Sequence, residues 1–346
     1  MWLHMKVLKY SPVSKACLQK LQFIQVVLPC QSTSHDGPVD CTAAFEASNV
    51  RGKLAIVTGG ANGIGEAYVR TLQSAGCKVV IGDVNAEKGK SLEAELAGTK
   101  FVKCDTTSWG DQLGMFRTAA SFSDDGRVSY VVANAGIARA DDVFSYSGDD
   151  QEPSKPDLSI TDVNITGTLY TAKLAFHYLV KQNGAEPSPV QQDTCLVLIG
   201  SGAAFFDCPR GPQYSASKWA ARGIMHSLRR TAHYYGSRVN VISPWYVRTN
   251  ILSEGAFRNV AGVGVEFATA EDAGRCLLRI LADSGVNGHS FFVCARKWAR
   301  ESGFVDLGID EYDSELIQEI QRDQLLSAPV EAGLFIDPYG GGNKAK

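Results

Sequence analysis

From residue 52 onward, short apolar runs alternate with segments of helical spacing. The runs are Lys53–Thr58, Val79–Gly82, Phe101–Cys104, Val128–Ala133, Cys195–Ile199, Val239–Ile242 and Ser290–Val293. Between them, apolar residues recur at helical intervals over about 64–75, 86–97, 108–122, 160–182, 212–235 and 270–283. The runs are nearly continuous in apolar residues, as expected of strands covered on both faces. Seven strands in strict alternation with six helices predict an α/β fold. Its sheet is doubly wound, seven-stranded and parallel (a Rossmann fold), within a single domain. Asp141–Asp157 and Gly184–Asp193 are rich in turn-forming residues and read as surface connections.

The ends read differently. Residues 1–50 are an N-terminal extension, 51–300 the α/β domain, and 301–346 a C-terminal extension with one amphipathic helix over Tyr312–Leu326. Lys6, Lys9, Lys15 and Lys20 precede the first acid, Asp36. That leaves three readings: an organellar presequence, a disordered extension, or a start assigned too far upstream. The glycine-rich end GGGNKAK is expected to be disordered. The tail helix either closes over a pocket, reaches a neighbouring subunit or covers the sheet edge.

Composition narrows the function. The 346 residues are 45% hydrophobic and 21% charged, enough for a large core, and the net charge is −3. No basic block marks a nucleic-acid partner. No apolar run reaches the roughly 18 residues of a membrane span. Nine scattered cysteines without a C-x-x-C pair point to reduced thiols, hence a cytoplasmic setting, and to no metal site.

Ligands of such sheets sit at the carboxyl ends of the strands, so the polar residues there carry the information. The first strand runs into TGGANGIG, Thr58–Gly65, and then into helical spacing. A glycine turn between strand and helix presents unpaired N–H groups to a diphosphate. Gly59, Asn62, Gly63, Ile64 and Gly65 are therefore candidate dinucleotide contacts. Asp83 ends the second strand. It either accepts hydrogen bonds from both adenine-ribose hydroxyls or caps the following helix. As a ligand it would repel a 2′-phosphate. No cation occupies positions 84–87, so the reading favours NAD over NADP. Asp105 either accepts from the adenine amino group or caps the helix near Ser108. Asn134, in Asn134-Ala135-Gly136, ties strand ends together or forms an ordinary turn.

The second half carries the chemistry. Ser201 follows the fifth strand. Tyr214 and Lys218 are i, i+4 and share a helix face. A phenol has a pKa of about 10, and lowering it three units takes about 4 kcal/mol. A cation at about 4 Å supplies about 4 kcal/mol at an effective dielectric of 20. Lys218 is thus expected to lower the pKa of Tyr214, which then takes the proton of an alcohol while Ser201 holds the substrate oxygen. A chance surface pair is the plainer alternative for Tyr214 and Lys218 alone.

Together, TGGANGIG, Asp83, Asp105, Asn134, Asn164, Ser201, Tyr214 and Lys218 resemble the classical short-chain dehydrogenase/reductases, over about residues 50–300. The resemblance implies a catalytic Ser201, Tyr214 and Lys218, with Asn164 in a water-linked proton relay. It implies cofactor contacts from Tyr214 and Lys218, from Thr249, and from the backbone of Val247. Trp245 departs from the family's Gly after Pro244, which puts the path of that loop in doubt. The family's dimers or tetramers are built on the helices at 160–182 and 212–235.

The run from Tyr214 to Leu252 resembles fungal polyketide-pathway dehydrogenases of the hydroxyaverantin type. A more distant likeness is to NAD-linked 15-hydroxyprostaglandin dehydrogenases. Phe205, Phe206, Trp245, Tyr246 and Phe257 either border a substrate pocket or pack in the core or a subunit contact. The expected activity is NAD-dependent oxidation of a hydrophobic secondary alcohol to a ketone in secondary metabolism. A carbonyl reductase working in reverse is the alternative enzyme. A scaffold that binds NAD without turnover is the alternative of another class.

Overall fold

The computed structural model describes residues 37–327 except Asn250, Leu252 and Asp313. The presequence reading and the glycine-rich last residues fall outside them. The strands are β1 (Leu54–Thr58), β2 (Lys78–Asp83), β3 (Thr99–Lys103), β4 (Tyr130–Ala133), β5 (Thr194–Ile199), β6 (Ser237–Pro244), β7 (Ser290–Val293) and β8 (Phe304–Asp306). The helices are α1 (Gly63–Ser74), α2 (Ala86–Glu95), α3 (Trp109–Phe122), α4 (Thr168–Asn183), α5 (Pro212–Tyr234), α6 (Glu254–Gly262), α7 (Ala270–Ala282) and α8 (Glu315–Ser327). A short helical turn, Ser159–Thr161, and a π-helical segment, Asp162–Gly167, lead into α4.

The strands form one sheet in the order β3-β2-β1-β4-β5-β6-β7-β8. The order reverses between β1 and β4, which opens a crevice at their carboxyl ends. Along β1, Ala55 and Val57 face one apolar layer with Tyr68, Val69 and Leu72 of α1 and Leu277 of α7. Leu54 and Ile56 face the other, with Met115 and Phe116 of α3, Leu174 of α4 and Met225 of α5. Successive side chains of a strand point to opposite faces, so every position must be apolar when both faces are covered. Helix starts are set locally. Asn85 accepts from Lys88 N at 3.0 Å, Ser108 from Asp111 N at 3.2 Å and Thr269 from Asp272 N at 3.0 Å. Each such cap stabilises by about 1 kcal/mol.

The seven expected strands are all present and parallel, and an eighth is added. β8 pairs antiparallel with β7 and covers the edge that the tail helix was one candidate to cover. Its three residues, flanked by Gly303 (φ +76°) and, two positions past its end, Gly308 (φ +64°), are too few to show a period. The tail helix exists as α8, but Leu316, Ile317 and Ile320 on it are exposed. Residues 37–50 lie against the same body: Val39 is buried and donates to Asp306 Oδ2 at 2.9 Å. Among the described residues seven cysteines are free. Among the described residues no helix is long and apolar enough to cross a membrane, and no cluster of three or more metal-ligating side chains occurs.

Candidate active site

The glycine turn leaves β1 through Gly59 at φ +63° and starts α1 at Gly63, φ +61°. Both values lie in the left-handed region that favours glycine. Gly65 is glycine for a different reason: a Cβ there would lie 2.0 Å from the Gly59 carbonyl oxygen. Asn62, the N-cap of α1, makes no capping bond with its side chain. The first N–H groups of a 12-residue helix therefore have no side-chain cap at the crevice. Thr249, from the loop after β6, packs on the turn, with its Cβ 3.3 Å from where a Gly63 side chain would begin. Ile64 is half-buried against the core.

Asn134 holds the crevice together. Its Nδ2 donates to Thr58 O at 2.9 Å and to Gly59 O at 3.0 Å. The Thr58 hydroxyl accepts from the N–H groups of Asn134 (3.0 Å) and Ala135 (3.1 Å). Thr58 was not singled out from the sequence, where a threonine ending a strand is unremarkable. Asp83 is buried; its carboxylate accepts from Ala61 N at 3.0 Å in the glycine turn and from Asn85 N at 2.9 Å. Asn85, not Asp83, is the N-cap of α2. Asp105 is exposed and accepts from Thr107 N at 2.9 Å, while Ser108 caps α3. A donor-rich turn, an uncapped helix and a carboxylate at the end of β2 fit a dinucleotide in charge and shape.

Beyond β4, β5 and β6 the catalytic candidates meet. The Asn164 side chain, in the π segment, accepts from Ile137 N at 2.8 Å. It donates to Ile137 O at 3.0 Å and to Ser217 Oγ at 3.1 Å. A Cβ at Gly136 would lie 3.2 Å from Asn164 Oδ1 and 3.5 Å from Lys218 Nζ, so these three groups share one small space. Lys218 is 7% exposed, and its ammonium donates to Ile199 O at 3.1 Å. The ammonium stands 5.5 Å from the centre of the Tyr214 ring. The Ser201 side chain accepts from Ala203 N at 3.2 Å and lies close enough to the Tyr214 phenol to influence its titration. Farther along the same face of α5, Arg222 pairs with the buried Asp310 carboxylate at 2.9 Å and donates to Ala204 O at 3.2 Å, next to the Ser201 turn.

The titration of the pair differs from the sequence expectation. Burial pushes the Tyr214 phenol above its ordinary value; the Ser201 side chain offsets part of this, and Cys208 and Tyr246 add to the rise. Burial also takes the Lys218 ammonium down to about 8. In the chain by itself the phenol is therefore raised and not lowered. Desolvation moves both groups toward their neutral forms. The Lys218 shift has a consequence for stability. Its folded pKa lies below its unfolded one, so the unfolded chain binds more protons between about pH 8 and pH 10.5. Without cofactor, stability is expected to rise with pH across that window, and Lys218→Met to abolish the rise. Urea unfolding at pH 7, 9 and 10.5 measures it.

The aromatic residues sort into two groups. Phe205, Phe206, Trp245 and Tyr246 join Phe292 and Trp298 in one cluster. Trp245 lies 4.8 Å from Tyr246, 5.7 Å from Trp298 and 6.0 Å from Phe292, ring centre to ring centre. Trp245 also reaches within 3.1 Å of where a Gly202 side chain would begin, beside Ser201. Phe206 and Trp298 keep exposed faces. Phe257 takes the core alternative: it is 1% exposed and packs on Phe267. Val247 is buried and bridges to Ala268. Phe292 and Trp298 are far from the others in sequence, and no motif marks them.

The sequence pattern of short chain dehydrogenases matches residues 53–256. The chain belongs to the short-chain dehydrogenase family of oxidoreductases, whose fold its sheet order and glycine turn reproduce. It is 32% identical over 245 residues to the 5'-hydroxyaverantin dehydrogenase of Dothistroma septosporum, across 65% of this chain and 78% of that enzyme. It is also 32% identical over 253 residues to the NADP-dependent dehydrogenase clz5 of Cochliobolus lunatus, across 68% of this chain and 87% of that one. The fold is shared with a 3-ketoacyl-(acyl-carrier-protein) reductase from Brucella melitensis solved with NADH. The TM-score is 0.60 at 22% identity, covering 70% of this chain and 97% of that chain.

Proposed function

We propose that the chain is an NAD-linked dehydrogenase that oxidises a hydrophobic secondary alcohol to its ketone, in fungal secondary metabolism. One observation carries the reading: Ser201, Tyr214, Lys218 and Asn164 converge at strand ends beside the glycine turn. A bound oxidised nicotinamide supplies the hydride acceptor and a positive charge near the phenol. Tyr214 accepts the proton of the substrate hydroxyl. Ser201 donates a hydrogen bond to the same oxygen and fixes its position. Lys218 remains cationic below its pKa of about 8, favours the phenolate and donates to the ribose of the dinucleotide. Asn164 holds the water-linked path by which the proton leaves. Gly59, Asn62, Gly63, Ile64 and Gly65 surround the diphosphate, Thr249 and the backbone of Val247 hold the carboxamide, and Asp105 meets the adenine.

The aromatic cluster beside Ser201 supports a flat or lipophilic substrate, in keeping with the hydroxyaverantin dehydrogenase relative. Exposed Leu169 on α4 and Trp219 on α5 support association of copies through those helices. The NADP-dependent name of the C. lunatus relative favours a second reading, a carbonyl reductase running the same site in reverse.

Cofactor choice separates the two. Asp83 already holds the glycine turn through Ala61 N and stands where an adenine ribose would meet it. Asp83→Ser removes the charge that repels a 2′-phosphate. Its preference for NAD over NADP is expected to fall by roughly 10- to 100-fold, since close charges are worth about 1–3 kcal/mol. Fluorescence titration with both dinucleotides reads this. An unchanged preference would assign Asp83 to loop structure alone. Hydroxylated polyketides, steroids and fatty alcohols, screened by the absorbance of the reduced dinucleotide, test the substrate class.

A further inference from the structure

Tyr214 occupies a weak place in a helix. It lies in the first turn of α5, and Gly211, the N-cap, has no side chain to satisfy the opening N–H groups. The chain reaches that turn through Arg210 at φ +66°, a left-handed conformation that a non-glycine residue adopts at a cost. Pro212 at N1 has no N–H to satisfy, so the opening donors that need a partner begin with that of Gln213.

We propose that Gln213 is the positioning residue for Tyr214, anchoring the first turn of α5 to the helical segment that carries Asn164 and to the β4–α4 connection. This rests on the reading of Tyr214 as the base. Gln213 is 6% exposed. Its Oε1 accepts from Thr161 N at 3.0 Å and from Thr161 Oγ1 at 3.1 Å. Its Nε2 donates to Asp157 O at 2.9 Å. Its backbone N–H donates to Asp141 Oδ2 at 2.6 Å, a cap supplied from the connection where Gly211 offers none. A second rung lies one turn on. Ser217 Oγ donates to Tyr214 O at 2.7 Å and accepts from Asn164 Nδ2 at 3.1 Å. Positions 213 and 217 are i, i+4 on one helix, and 161 and 164 are i, i+3 on the other, so both rungs cross between the same two faces. A buried amide using both its oxygen and its nitrogen tolerates little displacement. With both rungs made, the Tyr214 ring keeps its place 5.5 Å from the Lys218 ammonium. Cys208, from the loop before α5, and Tyr246, from the loop after β6, are the other titratable groups acting on the phenol.

The test uses the full chain with NAD+ and, as probe alcohol, 1-(2-naphthyl)ethanol. Gln213→Leu keeps volume and removes the hydrogen bonds. Gln213→Glu keeps the acceptor for Thr161 and loses the donor to Asp157. Asp141→Asn weakens the remote cap. For Gln213→Leu, kcat is expected to fall by roughly 10- to 100-fold, with the Kd for NAD+ within about twofold of wild type. The phenol titration in the NAD+ complex, read by ultraviolet difference absorbance against Tyr214→Phe, is expected to move up by about one unit. Amide hydrogen exchange should quicken over the first turn of α5 and stay unchanged in β1 and α1. The two milder variants fall between.

Wild-type titration, kcat and exchange in Gln213→Leu would overturn the assignment. If that variant fails to fold, wild-type behaviour of both Gln213→Glu and Asp141→Asn overturns it instead. Failure of the base reading looks different: Tyr214→Phe would keep its turnover. Exchange over the first turn then still decides whether Gln213 is its anchor.

Discussion

Tyr214→Phe is expected to lower kcat by roughly 10²- to 10⁴-fold, the usual contribution of a positioned acid or base. The Kd for the oxidised dinucleotide should stay near that of wild type. The substitution removes one oxygen and keeps the ring that lies 5.5 Å from the Lys218 ammonium. The Lys218 bond to Ile199 O and the Asn164 bonds to Ile137 do not involve that oxygen. The glycine turn, about the end of β1, is untouched. A loss confined to kcat at constant affinity marks an interaction made only in the transition state. Stopped-flow turnover and fluorescence titration together give both numbers. If Tyr214→Phe keeps both its affinity and its biological output, the chain is a binding scaffold and not an enzyme.

The second large effect is expected at Gly65. A Cβ there would meet the Gly59 carbonyl oxygen at 2.0 Å, Asn134 Nδ2 at 2.6 Å and the Gly59 carbonyl carbon at 2.9 Å. Two of those three atoms are backbone and have nowhere to swing. Gly65→Ala must push α1 away from the end of β1 and disturb the Asn134 bonds to Thr58 O and Gly59 O. Overpacking of this kind costs about 1–3 kcal/mol of stability. The dinucleotide should suffer more, by roughly 100-fold in affinity, because the displaced N–H groups are those that would face its phosphates. Gly114→Ala is the control. It lies inside α3 with nothing within 4 Å of the added methyl, and should stabilise by about 0.5–1 kcal/mol. Urea unfolding and fluorescence titration on both variants check the pair. Equal behaviour would show that the close approach at Gly65 does not govern the turn.

Much of the fold and site was legible because the signals are local. A strand covered on both faces must be apolar at every position, and β1, β2 and β5 read that way directly. Gly59 and Gly63 mark backbone angles that neighbouring residues disfavour. Tyr214 and Lys218 share a face because any helix brings i and i+4 together. Other features left no local trace. β8 is three residues long. Phe292 and Trp298 join the aromatic cluster only because β7 pairs with β6. Phe257, which the sequence left open between pocket and core, turns into the core against Phe267. Gln213 looks like any polar residue beside a tyrosine.

Sequence alone determined the alternation of elements, the parallel sheet, the glycine turn and the residues able to do the chemistry. Each follows from the requirements of one residue and its near neighbours. Only the tertiary structure decided how those groups titrate and what holds them in place. The pKa of Tyr214 depends on how much water is left around it and on side chains from two loops, the one before α5 and the one after β6. The anchor on Gln213 comes from Asp141, Asp157 and Thr161, brought near by the crossover between β4 and β5. Burial and long-range partners are properties of the packed sheet, and no window along the chain contains them.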